Sequence, residues 1–150
     1  MLRRVHRRNG SGELFILWFI TGLVSISADS QLISARVGDT VILPCKASEV
    51  SNQTYVYWET DSHDVFLRCG AFSLSGPGYE GRVDVPVDEL HKGNCSLVLK
   101  NVSVTDAAVY RSYIKSGCTH ARKRSATRNR HLIQNVTFSV QEVSGVPDVR

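Results

Sequence analysis

"DAAVYRSY", residues 106–113, is the stretch on which the reading of this chain turns. Side chains of an extended strand alternate between its two faces, so Ala108, Tyr110, Ser112 and Ile114 share one side. The same period recurs nearby. Val41, Leu43 and Cys45 align in "DTVILPCKA", and Val56 and Trp58 in "TYVYWE". Cys95, Leu97 and Leu99 do so in "NCSLVLKNV", and Val136, Phe138 and Val140 in "NVTFSVQEV". No useful helical period appears; short β-branched runs are separated by Gly, Pro, Asn, Asp and Ser, which is an all-β pattern. Strands with one apolar face each bury those faces by packing two sheets together.

The order of landmarks is more specific. Trp58 follows Cys45 by thirteen residues, and Tyr110 stands two residues before position 112. This cysteine, core tryptophan and corner tyrosine resemble an immunoglobulin sandwich, whose second cysteine would stand at Ser112. Arg82 in "GRVDV" and Asp106 match a family ion pair that closes the bottom of variable-type domains. The 67 residues between Cys45 and Ser112 leave room for the extra C′ and C″ strands of that type. "DELHKGNCSLVLKNVSVTDAAVY", residues 88–110, resembles the D-to-F stretch of butyrophilin, myelin-oligodendrocyte-glycoprotein and costimulatory-ligand domains of teleost type; the wider match runs from about Gln31 to Val143. The expected fold is an immunoglobulin variable-type (V-set) Greek-key sandwich of two antiparallel sheets over residues 29–145, with 146–150 a tail or the start of a linker.

Residues 1–28 read differently. Arg3, Arg4, Arg7 and Arg8 precede an apolar run from Leu14 to Val24 and small residues through Ala28, the order of a secretory signal peptide. That run is short against the roughly 20 residues a bilayer span needs. The chain is therefore expected to be secreted, or on the external side of the plasma membrane if it is a fragment of a protein anchored elsewhere. Without residues 1–28 the balance is 14 basic against 13 acidic residues, so the overall charge of +4 is mostly the signal's. Entry into the secretory pathway gives meaning to four glycosylation sequons, at Asn52, Asn94, Asn101 and Asn135.

Export also makes the four cysteines structural rather than catalytic. The resemblance pairs Cys45 with position 112, and Ser112 removes that partner. Closing a loop of 67 residues stabilises a fold by about 4 kcal/mol in the chain-entropy model. Cys45 is then expected to persist as a small buried hydrophobe, and Ser112 to need a hydrogen-bond partner or an ordered water. Four cysteines permit three full pairings. Cys69 with Cys95 is favoured, because Cys95 faces inward and because the resemblance implies a second bridge from the C′ region to the opposite sheet. Cys45 with Cys118 is the rival. Otherwise Cys118 is free or bridges another chain.

Nothing supports catalysis: there is no nucleophile elbow, metalloprotease motif, P-loop or dinucleotide fingerprint. No cofactor or metal is expected, since Cys118-x-His120 supplies two ligands where structural zinc wants four. Trp58 and Tyr110 belong to the core. Tyr55, Tyr57 and Tyr113 fall on the outward face of strands C and F, the usual contact face of the family the chain resembles, and tyrosine gives large contact area at low entropic cost. The resemblance thus implies an extracellular recognition module that binds a cell-surface receptor on immune cells and modulates T-cell signalling. The alternatives are an adhesion module, or a secreted glycan- or heparin-binding protein acting through Arg122, Lys123, Arg124, Arg128 and Arg130 in the F–G connection. The plainer reading of that cluster is a solvated loop without a partner, and its first three residues also resemble a convertase cut site. A decaying paralogue is a third reading, motivated by the lost cysteine. Nucleic acid is not an expected partner of an exported chain, and a membrane is met only through an anchor this chain does not contain.

Overall fold

The computed structural model describes residues 30–118 and 130–142. Residues 1–29, expected to hold the signal peptide, lie outside them, as do Arg122, Lys123, Arg124, Arg128 and the tail. The strands are β1 (Ser30–Arg36), β2 (Val41–Leu43), β3 (Thr54–Glu59), β4 (Asp64–Cys69), β5 (Phe72–Ser75), β6 (Val83–Asp84), β7 (Leu97–Leu99), β8 (Ala108–Ser116) and β9 (His131–Gln141). A short helix, α1 (Val87–His91), precedes β7, and a 3-10 turn (Val104–Asp106) precedes β8. One sheet has the order β1-β9-β8-β3-β4-β5, the other β2-β7-β6. Strands β4 and β5 are the C′ and C″ additions of the variable type.

The alternation read from the sequence becomes the packing. Val41 and Leu43 are buried while Ile42 between them stays 59% exposed. Trp58, Tyr110, Leu43, Leu97, Leu99 and Val136 are fully buried between the sheets. The Trp58 indole donates from Nε1 to the Cys95 carbonyl oxygen at 3.1 Å, tying β3 to the opposite sheet. At the bottom, the Tyr110 hydroxyl donates to the Asp106 carbonyl oxygen at 2.7 Å. Arg82 grips the Asp106 carboxylate with two nitrogens, Nη1 to Oδ2 and Nη2 to Oδ1, each at 2.9 Å. Burial pushes the Asp106 carboxyl up, but the hydrogen bonds from Arg82 and the Ser103 amide, with the Arg82 charge, hold it below the usual carboxylate range.

The sulfur bonds differ from both expected pairings. Cys45 is bonded to Cys95, with Cα atoms 4.9 Å apart, and Cys69 to Cys118, at 5.7 Å. Registry explains the first. Strand β2 pairs with β7 as Val41↔Leu99 and Leu43↔Leu97, and two further residues along each chain set Cys45 opposite Cys95. The Cys95 amide donates to the Cys45 carbonyl oxygen at 3.0 Å. Facing explains why Cys69 does not reach Cys95. Cys69 stands opposite Tyr55 and Arg68 opposite Val56, so Arg68 shares the core side with Val56 while Cys69 points to the other side. Cys118 does not run on as an extended strand: Gly117 adopts φ 91°, and the Gly117 and Cys118 amides both donate to the Gln53 carbonyl oxygen, at 2.9 and 3.0 Å. That fold-back sets Cys118 beside Cys69.

Each bridge therefore lies within one sheet, and no sulfur bond joins the two layers. The layers are held by the core, by the Trp58 bond and by Arg68, which reaches Asp84 of β6 at 2.6 Å. Ser112 is fully buried, and its Oγ has no hydrogen-bond partner among protein groups.

Candidate recognition face

The outward side of the six-stranded sheet is built by register. Leu132 of β9 lies opposite Tyr113 of β8, Tyr113 opposite Tyr57 of β3, Tyr57 opposite Leu67 of β4, and Leu67 opposite Leu74 of β5. This is one unbroken apolar and aromatic row over five strands, roughly 19 Å long at the usual strand spacing. The next row runs Lys115, Tyr55, Cys69, Phe72. On the other flank the row is polar: Asn135, Arg111, Glu59 and Asp64. Leu132, Leu74 and Phe72 are 43%, 48% and 57% exposed.

Arg130 covers the middle of the apolar row. Its guanidinium lies 4.2 Å from the centre of the Tyr57 ring and 5.9 Å from that of Tyr113, and it is 3.6 Å from the Glu59 carboxylate. A cation so placed over an aromatic face is held by the ring quadrupole. Tyr57 is consequently buried, not exposed as its outward position led us to expect; Tyr55 and Tyr113 are half-buried. The Tyr57 hydroxyl donates to Asp64 Oδ1. Burial, then that hydrogen bond and the nearby carboxylates, push the Tyr57 phenol well above its ordinary range against the opposing Arg130 charge. Tyr113 is raised by burial and by its bond to Glu59. These rings present neutral hydroxyls at physiological pH. Arg111 reaches Asp61 at 2.6 Å on the polar flank. The face thus has exposed apolar side chains at the two ends of the row, the Arg130 guanidinium over its middle, and a charged flank along Arg111, Glu59 and Asp64.

Of the five basic residues in the F–G connection, Arg130 alone is described, and it is occupied by the Glu59 carboxylate and two tyrosine rings. Asn52 and Asn101 are exposed. Asn94 is half-buried and donates to Glu89 at 3.0 Å, and Asn135 is half-buried on the recognition face with its Oδ1 buried and unpartnered. Among the described residues no cluster of three His, Cys, Asp or Glu side chains forms, and no helix is long and apolar enough to cross a membrane. The sequence reading missed Leu67, Phe72, Leu74 and Leu132. Phe72-x-Leu74 carries a period-two signal, but which side it faces follows only from pairing with β4.

Two antiparallel sheets with C′ and C″ strands, a buried Trp58 and the Tyr110 corner define an immunoglobulin variable-type domain. The model of the immunoglobulin V-set domain family matches residues 28–131, and the chain belongs to that family. It is 26% identical over 110 residues to human HERV-H LTR-associating protein 2, covering 71% of this chain and 26% of that protein. It is 29% identical over 116 residues to human V-set domain-containing T-cell activation inhibitor 1, covering 70% of this chain and 40% of that protein. The chain thus spans well under half of these relatives. Among solved structures it resembles a chain in the crystal structure of ICOS in complex with ICOS-L and an anti-ICOS-L VNAR domain, with TM-score 0.60 and 27% identity over 74% of this chain and 54% of that one. It also resembles the human B7-H4 IgV-like domain, with TM-score 0.57 and 22% identity over 71% of this chain and 90% of that one. The likeness to the human T-cell activation inhibitor lies in this V-set domain.

Proposed function

We propose that this domain acts outside the cell by binding a protein receptor on immune cells through the outward face of β9, β8, β3, β4 and β5, and thereby modulates T-cell signalling. The observation that carries the reading is the continuous row Leu132, Tyr113, Tyr57, Leu67, Leu74, whose ends are exposed apolar side chains bounded by charge. One relative is named as an inhibitor of T-cell activation, and one similar structure is of ICOS in complex with ICOS-L. The occupant that fits is a second sheet face with apolar side chains to meet Leu132 and Leu74 and charge along one flank. The reading is one of binding without chemistry, with secretion directed by residues 1–28.

Staining of activated T cells with the multimerised, secreted domain tests it. Leu74→Asp and Leu132→Asp, at exposed positions that spare the core, are expected to reduce binding at least about 30-fold each, the loss of one interface hot spot. Full binding by both variants overturns the assignment of this face. Binding that instead disappears on heparinase treatment, or on replacing Arg122, Lys123, Arg124 and Arg128 with alanine, transfers the function to the basic connection.

A further inference from the structure

The two disulfides occupy different environments. Cys45 and Cys95 are 4% and 0% exposed and lie in the core. Cys69 and Cys118 are both partly exposed. Cys69 sits on the outward side of β4, in register with Tyr55 and Phe72, so its bridge to Cys118 lies on the surface beside the apolar row. Disulfides are cleaved by a thiolate that must reach a sulfur atom, and access decides which bond reacts. The buried bridge is reached only by opening that exposes the core, whereas the surface bridge is open to attack in the folded domain.

We propose that Cys69–Cys118 is a thiol–disulfide exchange site for an extracellular dithiol. One thiolate of the dithiol attacks a sulfur of the bridge, forming a mixed disulfide and releasing the other cysteine as a thiolate. The second thiol of the reagent then resolves the mixed disulfide. The dithiol leaves oxidised and the domain keeps two thiols, so the two electrons come from the dithiol. The partner is a vicinal dithiol, such as the paired cysteines of a secreted oxidoreductase.

The bridge clamps the base of the F–G connection to β4. Beyond the sulfurs, that base is held by the Gly117 and Cys118 amides on the Gln53 carbonyl, and the strand-to-strand bonds of β3 with β4 and β8 do not involve sulfur. Exchange therefore cuts the covalent tie between β4 and Cys118, while these bonds and the packing around Trp58 remain. The exchange site stands on geometry alone; its consequence for binding rests on the recognition face proposed above.

The test treats the secreted, glycosylated chain with graded dithiothreitol under native conditions, traps thiols with iodoacetamide and maps them by mass spectrometry. Cys69 and Cys118 are expected to be labelled at least about 100-fold faster than Cys45 and Cys95, with the near-ultraviolet signal of Trp58 retained, because opening of a stable core is rarer than that. Labelling of all four cysteines together, labelling of Cys45 and Cys95 first, or loss of the Trp58 signal with the first pair overturns the proposal. Cell binding before and after selective reduction, compared with Leu74→Asp, separates the two ideas. Binding that falls on reduction links the bridge to the face. Selective labelling with binding unchanged keeps the exchange site and removes its link to that face.

Discussion

Replacing Ser112 by alanine is expected to stabilise the domain. Ser112 is fully buried, opposite Trp58 in register, and its hydroxyl oxygen has no partner in the protein. Burying a hydroxyl without a hydrogen bond costs about 1–3 kcal/mol. Alanine removes that penalty and leaves a space the size of one oxygen, smaller than a methyl group, for which a loss of under about 1 kcal/mol is reasonable. The net gain is about 1 kcal/mol, which corresponds to a rise in Tm of about 4 °C in a domain of this size. Thermal and urea unfolding followed by tryptophan fluorescence measure it. Ser112→Thr is the control: it keeps the hydroxyl and adds a methyl to a packed core, so it should lower stability by about 1–3 kcal/mol. An alanine variant with a lower Tm than the parent refutes the reasoning, since it means the hydroxyl is hydrogen-bonded in solution.

Ser112→Cys restores the residue the family resemblance expects, yet Cys45 is already bonded to Cys95. Peptide mapping should find the introduced cysteine as one free thiol and the Cys45–Cys95 peptide intact; a peptide joining Cys45 to the introduced cysteine contradicts this. Arg82→Ala leaves the Asp106 carboxylate, 4% exposed, without its fork, and should cost about 2–4 kcal/mol at neutral pH, read by urea denaturation. Because the folded Asp106 carboxyl lies below its unfolded range of about 3.9, its contribution is complete above that value and is lost as pH falls through the folded value. The parent should therefore lose more stability than Arg82→Ala between about pH 4 and pH 2, and parallel pH profiles contradict the pairing. Gly76→Ala would set a Cβ 1.6 Å from the Asp64 carbonyl oxygen, a backbone atom that cannot turn away. It should abolish secretion of folded protein, and normal secretion of the variant contradicts so close an approach.

Much of the architecture was legible because a period of two can be read without knowing which strands meet. Alternation placed Leu43, Leu97, Tyr110, Val136 and Phe138 on inward faces, and all are buried. The immunoglobulin resemblance marked Trp58 and Tyr110 as core, and the Arg82 and Asp106 positions as a pair. What alternation cannot carry is registry between strands far apart in sequence. The sulfur pairing depends on it twice: Cys45 meets Cys95 because β2 and β7 align, and Cys69 turns from the core because it stands opposite Tyr55.

The recognition face divides in the same way. Tyr55, Tyr57 and Tyr113 were assigned outward from their own strands, but Leu132, Leu67 and Leu74 join them only once five strands lie side by side. Arg130 reads in sequence as one cation in a basic run; the fold lays it across Tyr57 and Tyr113 and against Glu59. Local alternation decided which side chains face inward, since it needs only the geometry of one extended strand. Tertiary pairing decided which sulfurs meet and which apolar residues become one surface, since both depend on distances between strands that are separate in the chain.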